Sequence, residues 1–396
     1  MKTKLYFLGF LLTVLAIFVT FFSQSPTLLS PLCTSSAEAP EKCLQTRSRL
    51  GDASTDKKKI SKPYIVMGFA PYWNLKKLNP ESLVNITHFA YFNLLLNKDG
   101  TIFTKVNKRE EDPAYTNYKR LVAGNVNRGS KPLIIAFMPE SQSALQEIVG
   151  SKIAREKTIE TIAQILNESG ATGVNIDFEP VGDTPPSVKD NFTIFIKELR
   201  TKLPASQLSI SIYASSAVRP RLWDLKSLES HTDYFVVMTY DYTMPGSNIS
   251  GPNSPLRGSG DIIEHDIIKN IAEITKQIPP SKILLGIPFY GYEWDTVDTT
   301  KYAPSLARGS LASLERIQQM IDNKTFELIW DRNSLTPYGV ASESGKISQI
   351  YIENETSIRL KLEFVKSANL GGIAIWALGY EGNSSWIWPI IANLNH

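Results

Sequence analysis

After Pro63 the chain alternates between short, almost wholly apolar runs and longer amphipathic stretches. The runs are 64–70 (YIVMGFA), 86–96 (ITHFAYFNLLL), 132–138 (PLIIAFM), 173–179 (GVNIDFE), 208–214 (LSISIYA), 234–241 (YFVVMTYD), 283–291 (ILLGIPFYG) and 371–379 (GGIAIWALG), eight in all. Helical spacing fills most of the intervals. Residues 187–203 place Phe192, Phe195, Ile196 and Leu199 on one stripe, and 262–278 do the same with Ile263, Ile267, Ile271 and Ile274. Continuous apolar strands alternating with helices predict a parallel sheet covered on both faces. Eight such units over roughly 330 residues predict an α/β fold closed into a (β/α)₈ TIM barrel. An open doubly wound sheet fits less well, because no strand-to-helix turn carries Gly-x-Gly-x-x-Gly. About 80 residues separate the seventh and eighth runs, far more than one helix needs, and they hold turn-rich and strand-like pieces. A small α+β insertion at about 295–352, between strands 7 and 8, is therefore expected.

Residues 1–62 have a different texture. Lys2 and Lys4 precede an apolar run from Leu5 to Phe22, whose helical length of about 27 Å approaches a hydrocarbon core of about 30 Å. It predicts a signal peptide or an N-terminal membrane anchor over 1–22, and either one sends the rest of the chain out of the cytoplasm. Residues 23–62, rich in Ser, Thr, Pro and Lys, read as a flexible linker. The only two cysteines, Cys33 and Cys43, lie in it and could close a small loop. The barrel unit is then 63–396. A net charge of +3 without a basic block gives no footprint for nucleic acid. The four histidines are scattered with no ligand spacing, so neither a metal nor any other cofactor is expected.

The chemistry concentrates in Gly173–Glu179. In a barrel strand alternate side chains point inward. Val174, Ile176 and Phe178 would face the helices, and Asn175, Asp177 and Glu179 the interior, with Glu179 at the carboxyl end where this fold keeps its catalytic groups. Burying carboxylates costs several kcal/mol each unless they are paired or protonated, which argues against a purely structural use. Two carboxyls on one face also raise each other's proton affinity, which keeps an acid protonated near neutral pH.

This stretch resembles the Asp-x-x-Asp-x-Asp-x-Glu signature of glycoside hydrolase family 18, in the chitinase-like branch with the bacterial cortex-lytic N-acetylglucosaminidases and chitobiases. VVMTYDY (236–242), LLGIPFYGYEW (284–294) and GGIAIWALG (371–379) resemble the family's sixth, seventh and eighth strands, and VMGFAPYW (66–73) and THFAYFN (87–93) its first two. The resemblance implies retaining hydrolysis of β-1,4-linked N-acetylglucosamine glycans, chitin oligosaccharides or peptidoglycan, by a monomeric enzyme. Glu179 would protonate the glycosidic oxygen and later activate water. The substrate's own acetamido oxygen would attack the anomeric carbon, oriented by Asp177. Asn175, Met238, Tyr240, Asp241, Trp376, Phe69 and Tyr290 would line the sugar site, with Trp376 beneath the ring. Two positions depart from the signature, Thr172 and Asn175, and IIAFMPE (134–140) stands where the family has Ser-x-Gly-Gly. A glycan-binding lectin of the same fold is the alternative; relatives of that kind typically lose the terminal Glu, which is present here as Glu179. A Schiff-base aldolase is disfavoured because none of the eight runs ends in Lys.

Overall fold

The computed structural model describes residues 63–396 apart from Asp261, Lys324, Thr325, Ser344, Ser385 and His396. The apolar run Leu5–Phe22, the linker and both cysteines lie outside the described residues. Among the described residues no helix is long and apolar enough to cross a membrane.

Seven parallel strands follow the chain in order: β1 (Ile65–Pro71), β2 (His88–Leu96), β3 (Leu133–Pro139), β4 (Gly173–Ile176), β5 (Gln207–Tyr213), β6 (Tyr234–Met238) and β7 (Ile283–Pro288). A lobe sheet comes next, with β8 (Tyr290–Thr296), β9 (Ser310–Ser313), β10 (Glu327–Asp331), β11 (Thr336–Glu343) and β12 (Lys346–Tyr351). The last strand, β13 (Gly372–Trp376), pairs with β7 on one side and β1 on the other and closes the barrel. The lobe strands are antiparallel, in the order β10-β11-β12-β8-β9. The (β/α)₈ barrel with an inserted lobe is thus the observed architecture.

Two expected boundaries move. The seventh run does not continue to Gly291: β7 ends at Pro288, Phe289 turns, and Tyr290 already pairs with Ser313 in the lobe. The lobe therefore begins at Tyr290 rather than near 295, a break that apolarity alone does not reveal because Phe289 and Tyr290 are both buried. The helix expected from 262 runs only over Ile267–Ile274. Asp266 is its N-cap, accepting from Lys269 N at 2.8 Å, and also accepts from Ser259 N at 2.9 Å. A cap side chain fixes the first turn at its own position, which leaves Ile263 outside the helix and packed with lobe aromatics such as Tyr292 and Trp294.

The alternation along each barrel strand divides two cores. Outward residues Val174, Ile176 and Phe178 meet the helix Pro186–Lys202, where Phe178 stacks on Phe195 at 5.5 Å. Inward residues Met67, Ala90, Ile134, Val236, Leu284 and Ala374 fill the barrel. Gly286 also faces in, and a Cβ there would come within 2.9 Å of the Tyr240 ring and 2.6 Å of Val237 O, so the missing side chain makes room for Tyr240. Trp388 is fully buried edge-on to Phe289 at 5.6 Å.

The return from lobe to barrel carries a buried ion pair. Lys361 Nζ, on the helix Glu355–Ser367, lies 2.6 Å from both carboxylate oxygens of Glu353. Burial pushes the glutamate's pKa up and the lysine's down, while their mutual attraction opposes both shifts. Removing one member leaves an uncompensated buried charge. Lys361→Met is expected to lower stability by about 3–5 kcal/mol, read as a lower urea midpoint at unchanged slope. Adding Glu353→Leu to it should recover most of the loss.

Candidate active site

The inner face of β4 rises from a neutral polar base to two carboxyls. Asn175 is fully buried; its amide donates to Ser209 Oγ at 3.1 Å and its Oδ1 accepts from Ser211 Oγ at 3.1 Å. One pleat higher, Asp177 keeps β-type pairing, its N–H donating to Phe137 O at 3.0 Å. Its Oδ1 is buried and has no hydrogen-bond partner among the described residues. Glu179 sits at the mouth. The main chain around it is clamped by Gln142, whose Nε2 donates to Glu179 O at 2.7 Å and whose Oε1 accepts from Val181 N at 3.0 Å. Tyr213, at the end of β5, reaches across to donate to Pro180 O at 3.3 Å.

A second set comes from β6 and the start of the lobe. Asp241 holds a left-handed backbone, φ +62°, which Asp tolerates better than most residues. Its N–H donates to Asn253 Oδ1 at 2.8 Å, and Asn253 Nδ2 donates to Tyr290 O at 3.0 Å. The hydroxyls of Tyr290 and Tyr292 both donate to Asp241 Oδ1, at 2.5 and 2.7 Å. Trp376 ends β13 among Phe92, Phe69 and Trp73, with ring centroids at 4.5, 6.1 and 6.4 Å. Beyond it Glu381 holds the turn, its Oε2 accepting from Gly379 N at 2.6 Å, and burial pushes its carboxyl up to about 7.

These groups enclose a cavity of about 160 Å³ lined by Phe69, Asp177, Tyr240, Tyr290 and Trp376 among others. A larger groove of about 630 Å³ adjoins it, lined by Pro180, Tyr213, Arg221 and Met244 among others. Glu179, Met238, Tyr240 and Asp241 border both spaces, so the terminal carboxyl stands where cavity and groove meet.

All three carboxyls are held above their usual range, in each case chiefly by burial. For Asp177 the charge of Glu179 adds to that effect, and the Ser211 hydroxyl partly offsets it. For Glu179 a hydrogen bond from Tyr213 opposes the rise and the charge of Asp241 adds to it. For Asp241 the two tyrosine hydroxyls oppose it. Tyr240 is pushed up by burial and then by these same three carboxyls, so its phenol stays a donor.

Of the residues picked out in the sequence, Asp177, Glu179, Met238, Tyr240, Asp241, Trp376, Phe69 and Tyr290 converge on the cavity. Asn175 does not. It lies one pleat too deep to reach a ligand, and its hydrogen bonds go to the two β5 serines rather than to Asp177. Ser211, Phe92, Val236, Tyr213, Tyr292 and Asn253 also build the site and were not singled out. Tyr213 shares the parity of Ser209 and Ser211 and stands one residue before the end of its apolar run, which marks it in the sequence. Asn253 lies in a long loop after β6 with no periodicity to mark it.

A carboxyl at a barrel strand end whose protonated form is favoured by burial, beside a second buried carboxyl and an aromatic-walled cavity, is the arrangement a glycoside hydrolase requires. The chain belongs to the glycosyl hydrolases family 18, whose model matches residues 65–381. It is 24% identical over 328 residues to the cortical fragment-lytic enzyme of Bacillus anthracis, covering 77% of this chain and 70% of that one. It is 25% identical over 254 residues to the di-N-acetylchitobiase of Homo sapiens, covering 56% and 63%. Among solved structures, a chitinase from Cycas revoluta in complex with (GlcNAc)4 superposes with a TM-score of 0.70 at 18% identity, covering 83% of this chain and 99% of that chain. A group IV chitinase from Ostrinia furnacalis in complex with allosamidin gives 0.71 at 19% identity, covering 84% and 97%.

The raised carboxyls tie stability to pH. Below the usual carboxyl range both folded and unfolded chains are protonated, and the stabilisation is fully present. Above it the folded chain holds more protons, so stability is lost as pH rises through the folded-state values. Asp177→Asn is expected to be more stable than the parent by about 1–3 kcal/mol at neutral pH, because folding no longer has to bury a carboxylate or take up the proton that neutralises it. The gap should close towards pH of about 4, near the ordinary aspartate value. Melting temperatures across that range check it.

Proposed function

We propose that the protein hydrolyses β-1,4-linked N-acetylglucosamine glycans with retention, using the substrate's acetamido oxygen as the nucleophile. The observation that carries this is the state of the two aspartates. Asp177 Oδ1 is buried at the cavity wall without a partner, available to an acetamido N–H. Asp241, the one carboxyl from another strand on the cavity, has Oδ1 already accepting from two tyrosines, which suits a fixed dipole better than an attacking group.

Glu179 gives its proton to the glycosidic oxygen as the bond from that oxygen to the anomeric carbon breaks. The acetamido oxygen closes on the same carbon, and Asp177 balances the positive oxazolinium. Water then attacks that carbon, losing a proton to Glu179, and the acetamido group is regenerated. The Tyr240 hydroxyl suits the acetamido oxygen, and the partly open face of Trp376 suits the underside of the ring. The chitinase and chitobiase names among the relatives support an N-acetylglucosamine glycan, and the cortical fragment-lytic enzyme supports a wall-derived one. The Leu5–Phe22 run supports placing the protein outside the cytoplasm.

Glu179→Gln keeps the shape and removes the proton. Hydrolysis of chitooligosaccharides should fall about 10²–10⁴-fold while the folded protein still binds them by calorimetry. A thiazoline analogue of N-acetylglucosamine should inhibit competitively, and cello-oligosaccharides should not be cleaved. Rapid cleavage of a glucose oligomer, or a fluorosugar ester trapped on Asp241, would overturn the assignment of the nucleophile. Binding without hydrolysis by the parent protein would instead support a lectin.

A further inference from the structure

On the glycosidase reading, the groove beyond Glu179 would receive the sugar that carries the leaving oxygen, and Arg221, a cation the mechanism does not use, lines it. Its guanidinium carbon lies 5.0 Å over the Tyr213 ring. That ring is held from another side by Trp223, edge-on at 5.0 Å, and its hydroxyl touches the residue after Glu179. The guanidinium thereby lies over a ring that contacts Pro180, on the same groove that Glu179 borders.

Its setting is costly. Arg221 has a left-handed backbone, φ +45°, stabilised by Thr184 Oγ1 donating to its carbonyl at 2.7 Å. Its Nε is buried with no hydrogen-bond partner. No described carboxylate pairs with it: the neighbouring Asp183 is taken by Arg219 at 3.1 Å, and Glu264, on the groove's lining, by His265 at 3.2 Å. A strained backbone, a stacked platform and an uncompensated guanidinium beside a reaction centre are the parts of a receptor for an anion that the protein itself does not supply.

We propose that Arg221 makes the leaving-group side of the cleft selective for a sugar bearing a carboxylate. This rests on the glycosidase reading of the site and narrows its substrate class. A neutral glycan would offer the guanidinium only uncharged acceptors, which offset its desolvation less well. A carboxylate would accept a two-pronged, charge-assisted pair from it. The lactyl ether of a muramic acid and the C6 carboxylate of a uronic acid share this chemistry.

The test measures kcat/KM for the parent, Arg221→Gln and Arg221→Lys on three β-1,4 oligosaccharides. One is all N-acetylglucosamine, one alternates it with N-acetylmuramic acid and one alternates it with glucuronic acid. The parent should prefer a carboxylated oligosaccharide, and whichever is preferred identifies the source. Arg221→Gln should lose about 10- to 100-fold more on that substrate than on the neutral one, with Arg221→Lys between. Methyl-esterifying the carboxylate should abolish the parent's preference, a readout that needs no variant to fold. Equal losses on neutral and carboxylated substrates, or a parent preference that survives esterification, would overturn the selectivity while leaving the glycosidase reading intact. Failure of the parent on all three would overturn both.

Discussion

Everything at the mouth of this barrel follows from removing carboxyl groups from water. Asp177 and Glu179 lie on one strand face, in a cavity walled by aromatic rings, where each ionised form is costly. The groups around them divide between relieving and preserving that condition. Ser211 and Tyr213 offer partial relief by hydrogen bonding, while Phe69, Phe92 and Trp376 keep bulk water away. Burial therefore favours the protonated acid, and the Oδ1 of Asp177 has no hydrogen-bond partner among the described residues. A transition state that builds positive charge beside it meets a site already organised for that charge.

The walls are as constrained as the carboxyls. Gln142 ties both the residue bearing the acid and the turn behind it to the helix that follows β3. Asp241 is fixed through its own amide, through Asn253 and through two tyrosines. Such positions leave little freedom for the catalytic groups to wander, so less ordering has to occur during reaction.

Most of this was legible in the chain because the barrel writes two periods at once. Continuous apolar runs marked the strands, and polar residues at every second position within one of them marked the interior. The inward set of Asp177 and Glu179, and the outward set of Val174, Ile176 and Phe178, followed from that parity alone. Depth did not. Asn175 shares the parity of Asp177 yet lies one pleat lower, and only the neighbouring strand's serines reveal which level meets the cavity. Strand ends were also hidden where apolar residues bridge two elements, as at Phe289 and Tyr290. Arg221 and Asn253 sit in loops whose paths depend on long-range partners, and no local pattern announces them.

The abrupt passage from β7 into the lobe has a consequence for how this fold can diversify. The first and third residues of the lobe, Tyr290 and Tyr292, are also the ones that grip Asp241. The lobe is thus two things in one strand: a catalytic support at its root and a free-form appendage beyond it. Insertions and deletions in β10 and β11, which do not pair with β8, can alter the lobe without touching that clasp. A graft that replaces the lobe wholesale would remove the Asp241 clasp with it. The boundary at which this protein is modular lies inside β8, a few residues past the point where the chain leaves the barrel.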